Sequence, residues 1–266
     1  MCDTPAMTIV LIAIATYLIA TALLLRAVLG GRTARGWQPL AMLAVLGHAA
    51  THVLSWHAGN GPDMHFFAAL SLVGLGMALL TVLVAARERM ASLGVVVFPI
   101  AAISLLAYAL WGHRPAPALD WRLQLHAWCA LLAYATLAIA ALLAIMLWLQ
   151  ERALRRHQRP GWLRALPPLT ELETLLFRTI AVGFSLLTLT LLTGVLFVEN
   201  FFAQNLVQKT VLSVLSWLAF GALLLGRWLR GWRGGVAVRW TLAAMGLLLL
   251  AFFGSQFVFE LLLHHQ

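Results

Sequence analysis

Carboxylates are scarce in this chain and missing from the interiors of its apolar runs. Only 9 of the 266 residues are Asp or Glu, against 18 Lys and Arg, and Glu260 alone approaches the end of a run. Proton relays in transporters normally recruit intramembrane carboxylates. Their absence counts against ion-coupled transport. Cysteine is nearly absent too. Cys2 and Cys129 are the two present, with no C-x-x-C between them, which excludes thioredoxin-like chemistry and a zinc ribbon. No C-x-x-C-H occurs, so the chain is not itself a c-type cytochrome. There is no G-x-S-x-G and no H-E-x-x-H, and hydrolytic chemistry has no support. The chain leans away from being an enzyme, and no catalytic residue is assigned.

What is present is apolar. Hydrophobic residues make up 62% of the chain and charged ones 10%, far from the balance of a soluble domain. Eight runs approach the roughly 20 residues a helix needs to cross hydrocarbon: Ala6–Leu25, Gln38–Trp56, Met64–Ala86, Leu93–Trp111, Leu123–Leu149, Thr179–Val198, Thr210–Gly226 and Trp240–Phe259. They lack period-two alternation, which excludes strands. The predicted fold is an all-α bundle of eight transmembrane helices, one integral-membrane domain over residues 1–266. No basic region precedes the first run, so it reads as a retained span and not a cleaved signal.

The net charge of +9 comes almost wholly from arginine. These arginines sit in short gaps between runs, so a nucleic-acid partner is excluded and topology explains them. The gaps after the first, third, fifth and seventh spans hold nearly all of them. The opposite side has only Arg114, Arg122 and Lys209. The positive-inside rule then puts both termini on the outer, periplasmic side of a bacterial inner membrane. Pro167-Pro168 stops any helix leaving the fifth span, and Thr170-Glu171-Leu172-Glu173 matches a capping box with Thr170 as N-cap. Pro99 is the one proline deep enough in a span to suggest a break.

Histidines carry the functional signal, because an ionisable group in hydrocarbon is costly. His48 and His52 are one turn apart inside the second span, and His126 lies near one end of the fifth at a depth similar to His52. Four readings compete. The rings are hydrogen-bonded packing residues; or two of them hold a haem iron from facing helices; or they relay protons; or they bind a metal, for which no cysteine or carboxylate completes the set. In the haem reading, His126 pairs with His48, or with His52 as fallback, in the outer half between the second, fifth and eighth spans. Arg114, Arg122 and Lys209 are then candidates to pair with propionates.

The segment Leu125–Ala135, in which Tyr134 follows His126 by eight residues, resembles a helix of cytochrome c assembly proteins of the CcsA/ResC type. Leu191-Leu192-Thr193-Gly194, Lys209-Thr210 with Trp217, and Phe253-Gly254 match as well. The resemblance is strongest over 123–266. His48, Pro167-Pro168-Leu169 and Phe253-Gly254-Ser255 are shared with the short YpjD-like inner-membrane branch. The resemblance implies a haem-handling membrane protein, with haem b as cofactor, His126 as the position that transfers best and His264 near the second outer histidine. The family's tryptophan-rich outer loop corresponds to Glu199–Lys209, which has no tryptophan and no W-D-P. Haem binding or relay without lyase chemistry is what this pattern implies. Its partners would be haem, apocytochrome c or other assembly proteins, and the lipid bilayer. The alternative is a non-haem scaffold or regulatory subunit of a transporter, its histidines structural or pH-sensing.

Overall fold

A computed structural model describes residues 4–30, 35–58, 61–62, 64–87, 91–112, 120–157, 166–197 and 204–254. Among the described residues eight α-helices follow one another: α1 (Thr4–Leu29), α2 (Trp37–Ala58), α3 (Phe66–Arg87), α4 (Ala91–Trp111), α5 (Trp121–Arg155), α6 (Leu169–Phe197), α7 (Gln204–Arg230) and α8 (Gly235–Leu249). A π-helical turn, Leu250–Gly254, continues α8. All eight are long and apolar enough to cross a membrane, as the runs predict. Leu192, Val195, Leu196, Leu229 and Trp228 are exposed. Side chains of that size covering a surface need an apolar solvent, and lipid supplies it.

The chain divides into two compact units. The first comprises Met1–Leu119 with Ala153–Pro168. In it α1 packs on α2 and α4, and α3 packs on α4. Small residues set these approaches: Gly47 faces Ala13, and a Cβ at Gly74 would collide with the Ser104 hydroxyl. Small residues let backbones come close where no hydrophobic force drives helices together in lipid. Val10, Ala13, Ala68, Leu105, Tyr108 and Ala109 form a buried cluster. Pro99 does not break α4, which runs through it as one element. Trp37 is buried and lies 6.0 Å from the Phe98 ring, while Trp111, Trp121 and Trp228 are exposed, as tryptophans at a membrane interface are.

The second unit comprises Asp120–Arg152 and Leu169–Gln266. Gly183 of α6 leaves room for Leu137 of α5. Trp217 of α7 stacks on Phe184 of α6 at 5.5 Å and donates its indole N–H to the Thr188 hydroxyl at 2.8 Å. Ser216 donates to the Ala244 carbonyl of α8 at 2.8 Å. The capping-box expectation fails in its detail. α6 already begins at Leu169, so Thr170 lies inside the first turn. The Glu173 carboxylate instead meets Arg227 at 3.2 Å and Arg233 at 3.3 Å. Two guanidinium groups outcompete one backbone N–H for a nearly buried carboxylate.

Candidate functional site

Each unit contains one cluster built around histidine. In the first, α2 places His48 and His52 on one face, one turn apart, with ring centroids 5.6 Å apart and planes 23° from parallel. Both are buried. Ser71 of α3 meets the two rings: its hydroxyl lies 2.8 Å from His48 Nε2 and 3.0 Å from His52 Nε2. The Tyr17 hydroxyl of α1 lies 3.4 Å from His48 Nδ1. Tyr108 of α4 stacks on His52 at 4.4 Å, and Trp56 and His65 flank that end. One serine proton cannot serve two imidazole nitrogens, so at least one ring donates to Ser71. The contacts link Tyr17, His48, Ser71 and His52 in one buried polar network.

In the second unit, α5 carries His126, whose Nδ1 lies 3.1 Å from the Thr193 hydroxyl of α6. That hydroxyl donates its own proton to the carbonyls of Leu189 (2.8 Å) and Thr190 (3.0 Å). It has none left for the imidazole, so His126 Nδ1–H is the donor and Thr193 the acceptor. A neutral ring in this tautomer carries its lone pair on Nε2. Gly194 makes the contact fit: a Cβ there would stand 3.2 Å from His126 Cε1. Tyr134, two turns along α5, donates its hydroxyl to the Leu248 carbonyl at 2.8 Å and packs on Phe252 of the π turn at 5.5 Å.

The other sequence candidates separate by place. Arg122 is exposed, with its guanidinium 5.6 Å from the Trp121 ring and 5.9 Å from Phe197. Lys209 sits in the second turn of α7, half-buried. Arg114 and His264 lie outside the described residues. Among the described residues no group of three or more His, Cys, Asp and Glu side chains converges as a metal cage. Sequence reasoning named neither Tyr17 nor Ser71 as a partner of the histidines. A hydroxyl deep in an apolar run was the available signal for both.

Comparison with known proteins follows the same residues. Residues 37–263 match the family model described as "Cytochrome C assembly protein". The chain is 30% identical over 261 residues to "Inner membrane protein YpjD" of Escherichia coli (strain K12), covering 95% of this chain and 98% of that one. It is 33% identical over 247 residues to an "Uncharacterized 28.8 kDa protein in nifR3-like 5'region" of Azospirillum brasilense, covering 88% of each. A shorter stretch of 90 residues is 33% identical to "Cytochrome c biogenesis protein CcsA" of Prochlorococcus marinus (strain MIT 9515), covering 33% of this chain and 29% of that one. No solved structure matches. A family match over residues 37–263, with His48, His52, His126, Thr193 and Gly194 all inside it, shows that this chain belongs to the cytochrome c assembly protein family.

Proposed function

We propose that this chain is a haem-binding or haem-relaying accessory protein of cytochrome c assembly in the bacterial inner membrane, with both termini on the periplasmic side. The observation that carries the reading is the posture of His126. Its Nδ1–H is spent on Thr193, and a ligating histidine almost always donates its other ring N–H in this way. Gly194 keeps a side chain off the ring. The donor set therefore suits iron: a half-buried neutral imidazole, oriented from behind, near one end of a transmembrane helix.

Haem b, when bound, would supply a redox-active iron, and His126 would be its first protein ligand. His48, His52 and His264 are the proposed candidates for a second. Arg122 remains the proposed propionate partner, with Arg114 and Lys209 as further cations on the same side of the sequence. The arginine asymmetry supports the orientation. Apocytochrome c or another assembly protein is the proposed recipient.

The test is the full-length protein purified with adequate haem supply. A Soret band is expected, and His126→Ala should weaken it strongly. An alanine series at His264, His48 and His52 identifies the second ligand. A colourless wild-type preparation sinks the reading.

A further inference from the structure

The corner between α7 and α8 carries more positive charge than its carboxylates neutralise. Arg227 and Arg233 converge on one carboxylate, Glu173, at 3.2 and 3.3 Å. Arg227 also donates to the Trp232 carbonyl at 3.2 Å and lies over the Phe177 ring at 4.6 Å, so three partners hold its guanidinium. Arg230 closes α7 and Arg239 stands in the second turn of α8, both exposed. Arg239 turns back toward the corner, where its Nε donates to the Gly235 carbonyl at 3.2 Å. Neither Arg230 nor Arg239 pairs with a carboxylate among the described residues. A second carboxylate, Glu151, reaches the corner: its Oε1 would stand 2.6 Å from a Cβ at Gly234. Glu171, in the first turn of α6, is exposed and pairs with none of these arginines. Four guanidinium groups are thus set against two carboxylates.

The turn that carries them is packed. Gly231 and Gly234 take positive φ, at 65° and 53°, a conformation glycine adopts freely. Gly226 leaves room for the Trp232 ring, and Trp240 packs on that ring at 5.6 Å. Topology requires only that cations lie somewhere in this gap. It does not require them to crowd around a shared carboxylate on a fixed turn.

The surroundings select the anion. Trp228 is 81% exposed, and Leu229 and Trp240 are exposed with it. Indoles at the end of a spanning helix sit at headgroup level, which sets the surplus arginines at the depth of lipid phosphates. The arginine fork matches phosphate geometry. A soluble anion gains nothing from Trp228 and Leu229, whereas a lipid covers both while its phosphate takes up the charge. We propose that the α7–α8 corner binds the phosphate of an anionic phospholipid, with Arg230 and Arg239 as its main contacts and Arg233 completing the cluster.

The test uses the full-length protein, stripped of lipid in a neutral detergent and titrated with phosphatidylglycerol or with phosphatidylcholine of the same acyl chains. Native mass spectrometry reads the lipid retained. Phosphatidylglycerol should be held in preference to phosphatidylcholine, and equal retention of the two overturns the proposal. Arg230→Gln and Arg239→Gln should each weaken phosphatidylglycerol retention about fivefold, and together about 20-fold. The single variants keep the test readable should the double variant fail to fold. Arg26→Gln with Arg35→Gln removes the same charge from exposed positions of the first unit and should leave retention unchanged. Equal loss in the two double variants would mean a diffuse charge effect and overturns the site. Inorganic phosphate in large excess should leave the lipid bound; displacement by phosphate alone overturns a lipid as the occupant.

Discussion

Gly194 and His126 fit together as a notch and its occupant: a Cβ at position 194 would come within 3.2 Å of the imidazole Cε1. The adjacent residue, Thr193, holds Nδ1 of the same ring at 3.1 Å. Two successive residues of α6 thus set both the place and the tautomer of the one histidine that transfers best from the family resemblance.

Gly194→Ala tests the notch. Alanine favours a helix over glycine by about 1 kcal/mol, so thermal stability in detergent should hold or rise while the Soret band weakens. Thr193→Val removes the acceptor and should weaken haem retention roughly 10- to 100-fold. Haem content of the two variants unchanged from wild type would show that neither residue positions a ligand.

Tyr134→Phe tests the end of α8. The ring keeps its packing on Phe252, and only the hydroxyl bond to the Leu248 carbonyl, at 2.8 Å, is lost. The expected cost is about 1 kcal/mol. Amide hydrogen exchange should quicken over Leu248–Gly254 and leave α1–α4 unaltered. Uniform exchange across the chain would mean the hydroxyl does not hold this turn.

Glu173→Gln removes the charge that Arg227 and Arg233 share. Arg233 is largely exposed and Arg227 partly so, which places the pair between surface and buried cases. A loss of about 1–2 kcal/mol is expected in thermal unfolding. Adding Arg227→Gln should cost less than the two single changes summed, because the groups are in contact. Strict additivity would deny the coupling.

Much of the scaffold was legible because span length and apolarity are one-dimensional properties. Eight runs became eight helices, and even α4 kept its course through Pro99, whose missing N–H is tolerated in transmembrane helices. The partners of the histidines were not legible. Tyr17, His48 and Ser71 come from three helices, and only packing brings them together. The i, i+4 spacing of His48 and His52 announced a shared face, but not that Ser71 would sit at its focus. Glu173 misled for the same reason: its local pattern with Thr170 was real, yet the competing arginines lie 54 and 60 residues away.

That long separation has a consequence for how the chain is made. Glu173 leaves the ribosome 54 residues before Arg227 and 60 before Arg233. During that interval the base of α6 carries a carboxylate that neither guanidinium yet neutralises, while Leu137 of α5 already offers α6 its seat at Gly183. The end of α7 and the turn after it therefore complete the anchoring of α6 at its base.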